Sequence, residues 1–550
     1  MKLLAILVLC AATATAQDLP PELAPKLGSI AGTVTAGAGG PPMKDVEIHV
    51  NRNTPQAKMA LTDSQGRYAI RDVAPGQIRV SANAPDASGR VGFGPNADRQ
   101  ITLAPAQELV NVDFRLVIQG RISGKVVDQN KEPVVGLAVY LVAREYSHGA
   151  LRAVFAGYSA TDDQGEYRLE RVQPGRAYAV MASKKYRAIP AISDAPVELE
   201  LRLPAVVPTY YPNAPSIDGA ELLVLRPGEQ REGVDIRLTR SKAFCVDGVV
   251  EASGGAGALR FEIGETQPAS GTVGSGGFYM AVPGGTSGPD GKVRLCDLHP
   301  GDYELTVSEQ ARGAMSRSQF GAAIVTIGDR DVAGVRVALR PRIPVAGEVV
   351  FDGPAPETPV EGKLRLFVQA ITRTERGNVQ ASIPGEFAFE GGLLMDEYGL
   401  DITGVPTGLY IKDVTYGDRS VLNQSLRVGS AMGNAGLRVT LGRDGGSIAA
   451  RVADKDGTPV ADCTVVILPA AAANEAGLAA ALKSGKTYQN GTWAGPTLAP
   501  GKYFVLATGE TIDRSPETVG KLWKARNRGE AVELAPNGKA SVTLTPKALD

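Results

Sequence analysis

The chain has 550 residues, of which 43% are hydrophobic, and its 65 glycines and 37 prolines are enough to separate several cores by many turns. Its 58 basic and 59 acidic residues are interspersed along the sequence and give a formal charge of −1. This balance excludes the concentrated basic surface that binding to nucleic acid requires.

The N-terminus has the pattern of a Sec signal peptide over residues 1–16. Lys2 precedes the apolar run Leu3–Ala12, which is too short to span a bilayer, and a small-x-small cleavage site ends at Ala16. The alternative, lipid attachment at Cys10, requires preceding residues that this sequence matches poorly. No later stretch has the roughly 20 apolar residues of a transmembrane helix. The mature chain is therefore predicted to have no membrane span and to be secreted, periplasmic or at the cell surface.

A pattern of turn, strand and second turn recurs after a Pro-rich, disordered leader predicted at residues 17–27. The clearest copies run from Thr62 to Gly76 and from Thr161 to Gly175. Weaker copies run from Asp290 to Gly301 and from Asn490 to Gly501, and each of the four places two glycines ten residues apart. A fifth copy, one residue shorter, is predicted from Tyr398-Gly399 to Gly408. An internal repeat of this length predicts a tandem array.

Each repeat opens on a strand of small and β-branched residues and closes on a strand of alternating apolar residues. About seven short strands with turn signals fall between these ends, which predicts an all-β fold, a tandem array of about five Ig-like or transthyretin-like β-sandwich domains. Two helical insertions are predicted in the last domain, at Asn474–Lys483 and after Pro516. The short linkers predict that successive sandwiches form a rod with limited bending. The predicted domains are residues 28–117, 118–241, 242–341, 342–442 and 443–550.

The repeat resembles the carboxypeptidase regulatory-like domain, a transthyretin-like sandwich related to collagen-adhesin B repeats and to some carbohydrate-binding-like folds. The resemblance rests on an early Gly-x-Val (Gly32-Thr-Val and Gly124-Lys-Val), on Thr-Asp-x-x-Gly-x-Tyr at Thr62 and Thr161, and on the Pro-Gly pairs that follow. It is good for the first two domains, moderate for the third and fifth, and weak for residues 342–442. It implies an appended module of secreted or surface proteins that is not itself catalytic.

The residues needed for enzyme chemistry do not form a recognisable pattern. The three histidines, His49, His148 and His299, have no glutamate three positions on, and the sequence has no Gly-x-Ser-x-Gly elbow. Asp63 and the pair Asp162-Asp163 stand before turns and could hold calcium, but they lack a full set of oxygen ligands, which favours Asx turns. No catalytic residue, metal site or cofactor is therefore predicted.

The export signal makes a disulfide between Cys245 and Cys296 a candidate, because the bond forms in oxidising compartments. The alternative is that both are small buried apolar residues. Cys463 is in phase with neighbouring apolar residues and is predicted to be an unpaired core residue.

Aromatic residues provide the remaining candidates for binding. Tyr210, Tyr211 and Trp493 are candidate sugar-stacking residues, since a flat ring can cover the C–H face of a pyranose; core packing is the alternative for Trp493. The sequence thus favours a secreted, non-enzymatic structural or adhesive protein. The alternative is a carbohydrate-binding module array that recognises cell-wall or extracellular polysaccharide. The partners expected are a polysaccharide or a surface protein.

Overall fold

In this computed structural model the described residues are 26–37, 40–85, 91–183, 207–238, 242, 244–251, 259–265, 272–273, 276–277, 284–287, 290–309, 319–354, 356, 360, 362–371, 376–429 and 436–549. The predicted signal peptide and most of the predicted leader lie outside them. The chain divides into two compact units, Met1–Leu116 and Val117–Asp550, which are described separately.

The fold is all-β, a tandem array of β-sandwiches, and the first unit contains one of them. This first sandwich pairs a sheet of order β4-β1-β7, with β8 also on β1, with a sheet of order β3-β2-β5-β6. Its strands are β1 (Gly28–Ala36), β2 (Glu47–Val50), β3 (Lys58–Leu61), β4 (Arg67–Val73), β5 (Gly76–Pro85), β6 (Val91–Leu103), β7 (Glu108–Leu109) and β8 (Phe114–Leu116).

The second unit begins with the second sandwich, in which β12-β9-β16, with β17 also on β9, faces β11-β10-β13-β14, with β15 also on β13. A 3-10 turn lies at Ile217–Gly219. The strands are β9 (Gly120–Val127), β10 (Ala138–Ser147), β11 (Ala150–Ala160), β12 (Glu166–Val172), β13 (Ala177–Ser183), β14 (Thr209–Tyr210), β15 (Leu223–Val224), β16 (Gln230–Arg231) and β17 (Ile236–Arg237).

The third sandwich has sheets of order β23-β18-β26 and β22-β19-β24-β25-β27, with a small separate pair β20-β21. β27 is the linker to the fourth sandwich. The strands are β18 (Phe244–Glu251), β19 (Leu259–Glu265), β20 (Thr272–Val273), β21 (Gly276–Gly277), β22 (Gly284–Thr286), β23 (Lys292–Leu298), β24 (Gly301–Glu309), β25 (Gln319–Ile327), β26 (Val332–Ala338) and β27 (Arg340–Pro341).

The fourth sandwich pairs β31-β28-β36-β33-β34 with β30-β29-β32-β35. Its strands are β28 (Ala346–Phe351), β29 (Lys363–Ala370), β30 (Arg376–Ser382), β31 (Gly385–Ala388), β32 (Asp396–Thr403), β33 (Tyr410–Tyr416), β34 (Arg419–Ser420), β35 (Leu426–Val428) and β36 (Leu437–Gly442).

The fifth sandwich pairs β40-β37-β43 with β39-β38-β41-β42 and carries the two helices predicted from the sequence. Asn474 caps α1 and Ser515 caps α2, each accepting a backbone N–H in the first turn. The elements are β37 (Ser447–Val452), β38 (Thr464–Pro469), α1 (Glu475–Ala481), β39 (Lys483–Lys486), β40 (Thr492–Ala494), β41 (Gly501–Thr508), α2 (Pro516–Ala525), a 3-10 turn (Arg526–Arg528), β42 (Glu530–Leu534) and β43 (Lys539–Leu544).

All five sandwiches share one strand arrangement around the opening strand. The opening strands β1, β9, β18, β28 and β37 pair antiparallel with β4, β12, β23, β31 and β40, and parallel with the closing strands β8, β17, β26, β36 and β43. The first and last strands of each sandwich are therefore neighbours. Alternate residues of each sheet point inward, so that one main apolar core lies between the two sheets of each sandwich.

The repeated turn is the predicted Asx turn. Oδ1 of Asp162 accepts hydrogen bonds from the backbone N–H groups of Gln164 and Glu166 at 2.9 and 2.8 Å. The carboxylate thus caps its own turn. The preceding Thr161 is buried, and its hydroxyl accepts from Leu137 N at 2.9 Å and donates to Val134 O at 2.6 Å.

The glycine of the Gly-x-Val pattern is required by a close approach of the closing segment. A Cβ on Gly124 would lie 2.1 Å from the carbonyl oxygen of Val234. The same oxygen accepts a hydrogen bond of 2.5 Å from the buried hydroxyl of Tyr167, and burial raises the pKa of Tyr167 above its ordinary value. The repeat's glycine and tyrosine therefore hold the opening and closing strands together.

The predicted fifth copy of the turn pattern, from Tyr398-Gly399 to Gly408, is wrong, because it falls on the strand that follows the equivalent strand of the repeat. Tyr398 and Gly399 lie within β32, paired with Ala370 and Gln369 of β29, in the other sheet of the fourth sandwich. The strand in the repeat's position is β31. The spacing misled because Gly399 is an ordinary strand residue, whereas the turn glycine Gly165 has φ of +71°.

Candidate functional site: a hairpin that joins three sandwiches

A long β-hairpin of the second sandwich contacts two other sandwiches of the second unit. β10 and β11 pair antiparallel from Ala138↔Ala160 to Ser147↔Ala150. The two residues between them, His148 and Gly149, have φ of +47° and +79°, which suits the tight two-residue turn of a twisted hairpin. We call residues 144–153 the hairpin tip.

The hairpin tip contacts the fifth sandwich through Tyr146. The backbone N–H of Tyr146 donates to Arg514 O at 2.8 Å, and its hydroxyl donates to Glu475 Oε2 at 2.9 Å. Its ring packs against the apolar cluster between the two helices and their sheet. Burial and the carboxylate of Glu475 together raise the pKa of Tyr146.

The other side of the hairpin tip contacts the fourth sandwich through two pairs of polar side chains. His148 Nε2 lies 3.6 Å from Asp401 Oδ1, and Arg152 Nη2 lies 3.5 Å from Glu397 Oε1. The His148 imidazole holds the pKa of the Asp401 carboxyl below its usual range. Distances of 3.5–3.6 Å are longer than those of strong, short hydrogen bonds.

The backbone of the fourth sandwich is shaped to accept the histidine ring. A Cβ on Gly399 would lie 2.5 Å from His148 Cε1, so glycine leaves the room that the imidazole occupies. The second sandwich thus contacts the fourth and fifth, which a rod of successive sandwiches does not predict. From the sequence, His148 was weighed only as a possible metal ligand, and Tyr146, Asp401 and Glu475 were missed. The available signal was the length of the two strand-forming segments on either side of His148-Gly149.

A double-mutant cycle tests the junction. Tyr146→Phe and Glu475→Gln are each expected to destabilise the fifth sandwich, with a coupling of about 1 kcal/mol because they remove one charge-assisted hydrogen bond. Urea unfolding, monitored by tryptophan fluorescence, gives the free energy of unfolding of each variant, and the coupling follows from the four values. Trp523 is a suitable reporter because it packs in the same cluster as Tyr146.

The matched control for this cycle is Tyr503→Phe. The hydroxyl of Tyr503 donates a hydrogen bond of 2.7 Å to Ala499 O within the fifth sandwich. It should show no coupling to Glu475→Gln. If Tyr146→Phe and Tyr503→Phe showed the same coupling to Glu475→Gln, the proposed junction would be contradicted.

The candidate sugar-stacking residues do not form one exposed platform. Trp493 is 9% exposed and lies in the core of the fifth sandwich. Tyr210 packs on the outer face of the sheet that contains β10 and β13, whereas the adjacent Tyr211 packs against the core between the two sheets. Both tyrosine rings are half-buried, and they lie on opposite sides of the sheet.

The structure describes all three cysteines of the predicted mature chain. The sulfur atoms of Cys245 on β18 and Cys296 on β23 lie 2.03 Å apart. Cys463 is buried and its thiol contacts Thr508 O at 3.3 Å.

The disulfide stays a prediction that thiol counting checks. We expect one reactive thiol per mature chain in denaturant and three after reduction. Cys245→Ser with Cys296→Ser is expected to destabilise the third sandwich by about 2–4 kcal/mol, because the bridge closes a long loop. Three reactive thiols before reduction would contradict the bridge.

The histidines and acidic turns are placed apart from one another. His49 Nε2 lies 2.8 Å from Glu47 Oε2, and His299 Nδ1 lies 2.5 Å from the hydroxyl of Tyr303. Among the residues that the structure describes, no three His, Cys, Asp or Glu side chains are grouped as a metal site. None of the described helices is long and apolar enough to cross a membrane.

Comparison with known proteins identifies the first sandwich. Residues 29–117 match the family model of the carboxypeptidase regulatory-like domain, so the chain carries this domain. No curated protein matches the chain.

Among solved structures, the chain is similar to the following three proteins at low identity. The TIE protein of Bacillus anthracis is 10% identical, with 96% of this chain and 76% of that chain covered and a TM-score of 0.15. The minor pilin of Streptococcus agalactiae is 12% identical, with 38% and 95% covered and a TM-score of 0.21. The shaft pilin of Lactobacillus rhamnosus GG is 13% identical, with 39% and 98% covered and a TM-score of 0.18. Such values carry no functional argument.

Proposed function

We propose that the chain is a secreted, non-enzymatic structural or adhesive protein of the cell surface, in which docked sandwiches present loops and sheet edges at fixed spacing. The observation that carries this proposal is the hairpin tip, which joins the second sandwich to the fourth and the fifth. Tyr146 and Glu475, which form one of its hydrogen bonds, are separated by 329 positions in sequence.

Fixed spacing has a direct advantage for adhesion. When several weak contacts are made by one molecule, each later contact forms at high effective concentration, provided that the geometry allows simultaneous engagement. Holding the modules in place before binding also reduces the entropy lost on association. The apolar contact of Tyr146 and the polar contacts of His148 and Arg152 supply this restraint from two sides.

The carbohydrate alternative has less support. A sugar platform needs exposed rings facing one ligand, but Trp493 is buried and Tyr210 and Tyr211 lie on opposite sides of their sheet. The polar groups near the histidines are engaged in local pairs, as Glu47 is with His49.

The proposal is tested on cells that produce this protein. Antibody against residues 17–550 is expected to label intact cells without permeabilisation, and deletion of the gene is expected to reduce attachment to a protein-coated surface. The wild-type gene should restore attachment, and a gene carrying Tyr146→Ala with Arg152→Ala should restore less of it at equal surface labelling.

Two results would contradict the proposal. Labelling only after permeabilisation would place the protein in the periplasm and remove the adhesive function. Saturable depletion of the purified mature chain by insoluble polysaccharide or peptidoglycan would favour the carbohydrate alternative.

A further inference from the structure

One side of the third sandwich is open between the edge strands of its two sheets. β25 pairs along one side with β24, from Gly301↔Ile327 to Ser308↔Phe320. On its other side, the described residues contribute only β27, which pairs with Gln319 and Phe320. The edge of β25 from Gly321 to Ile327 therefore has no partner strand among the described parts of the chain.

The composition of this edge is unusual for an edge strand. Phe320–Ile327 has no charged residue and no proline, although charges and prolines are the common means of preventing unwanted strand pairing. Ile324, at its centre, is 66% exposed. An uncharged and β-prone edge is a ready template for another extended chain.

A groove of about 450 Å³ lies along this edge. We call it the edge groove; it is lined by Phe320–Ile324 of β25, by Arg336 and Ala338 of β26, and by Leu394 and Met395 of the fourth sandwich. Ala323 on β25 and Val335 on β26 belong to the core of the sandwich but are only partly buried. An added strand would cover this incompletely closed part of the core.

The chain itself shows that this edge accepts an added strand. β27 pairs antiparallel with the first two residues of β25 before the chain enters the fourth sandwich. The next residue, Gly321, is closely approached by the end of β26, because a Cβ there would lie 2.6 Å from Ala338 O. The unpartnered part of the edge continues from this point along the same strand.

The charges at the groove indicate what an incoming strand should carry. Two positively charged residues, Arg336 and Arg340, line the groove, against one negatively charged residue, Glu304. Arg336 Nη1 lies 2.8 Å from Glu251, whereas Arg340 Nη1 lies 3.8 Å from the sulfur of Met395. A thioether leaves the guanidinium charge uncompensated, so that a carboxylate on the incoming strand would be attracted to it.

We propose that the edge groove binds an extended acidic segment of a partner protein by strand addition to β25. Backbone hydrogen bonds to the edge supply affinity, apolar side chains at alternate positions cover Ala323 and Val335, and a carboxylate pairs with Arg340. The edge groove would be one contact surface of the proposed adhesive protein, and its biological role therefore rests on that proposed function.

The experiment uses the full mature chain and a labelled nine-residue probe peptide that alternates valine with threonine and has glutamate near each end. Fluorescence anisotropy is expected to show saturable binding. Ile324→Lys should weaken it at least about tenfold, because a charge on the edge opposes strand pairing. Val249→Lys is the matched control, since Val249 is 41% exposed on β18, a strand paired on both sides; it should leave binding within about twofold.

Two further comparisons separate backbone pairing from charge. A probe N-methylated at alternate residues keeps the side chains but loses hydrogen-bond donors, and it should not bind. Arg340→Gln should weaken the glutamate probe and leave a glutamine probe unchanged. Ala322→Lys, at a second exposed position of β25, replaces Ile324→Lys if that variant melts early.

The proposal is overturned if the N-methylated probe binds equally well, or if neither lysine on β25 changes affinity. It is also overturned if sedimentation shows that the wild-type chain self-associates through this edge in a manner abolished by Ile324→Lys, because the occupant is then a second copy. These results leave the labelling of intact cells unaffected, so that failure of the groove is distinguishable from failure of the adhesive function.

Discussion

Replacing Trp493 with alanine is expected to destabilise the fifth sandwich by roughly 3–5 kcal/mol, the usual range for deleting a large buried aromatic side chain. Trp493 is 9% exposed and packs directly on the backbone of Gly485, where a Cβ would lie 2.1 Å from the indole Nε1. The surrounding β-sheet backbone cannot collapse fully into the space, so a cavity term adds to the lost burial.

The measurement is favourable because both tryptophans of the chain, Trp493 and Trp523, lie in the fifth sandwich. Urea unfolding followed by fluorescence thus reports this sandwich within the full chain. Trp523→Phe is the control: its ring is half-buried over Arg526, 3.3 Å from the guanidinium carbon to the ring centroid, and a smaller loss is expected. An unchanged midpoint for Trp493→Ala, accompanied by weaker binding to polysaccharide, would restore the sugar-stacking interpretation.

Replacing Gly124 with alanine is expected to destabilise the second sandwich by about 3 kcal/mol, at the upper end of the cost of overpacking. The added methyl group would lie 2.1 Å from Val234 O and 2.4 Å from Val234 C, which are backbone atoms without a side-chain rotamer to change. The closing segment must therefore move, and the hydrogen bond from Tyr167 to the same oxygen lengthens with it.

Hydrogen–deuterium exchange of peptides covering β9 and β17 measures this loss without unfolding the other sandwiches. A loss of about 3 kcal/mol corresponds to roughly a hundredfold faster exchange where exchange requires opening of the sandwich. Gly157→Ala on β11 is the control, because its Cβ would meet only Leu141 Cβ at 3.8 Å. Equal exchange rates in the two variants would show that Gly124 is not held by a close approach.

Much of the fold could be predicted because its signals are local. The turn before β12 needs only Asp162 and the φ of Gly165, and both are visible as Asp-x-x-Gly. The caps of α1 and α2, Asn474 and Ser515, are similarly local. The error at Tyr398-Gly399 arose because a glycine spacing alone does not distinguish a turn from a strand.

The candidate site could not be predicted, because it depends on which sandwiches meet. Alternation places Tyr146 on β10 but does not reveal its contact with Glu475, which is set by the packing of whole modules. The side of the sheet occupied by Tyr210 and Tyr211 likewise depends on how the segment after β13 folds back. For Trp493 the alternative of core packing, considered from the sequence, describes its place in the structure.

The separation of 329 positions between Tyr146 and Glu475 has a consequence for biosynthesis. At usual translation rates of about 5–20 residues per second, the hairpin tip is made on the order of tens of seconds before the surface on which it docks. During that interval the second sandwich can complete its own core while Tyr146 remains without its partner. Docking of Tyr146 is therefore a late step that requires the fifth sandwich, and a product truncated before α1 would leave this side chain without its docking surface and available to chaperones and proteases.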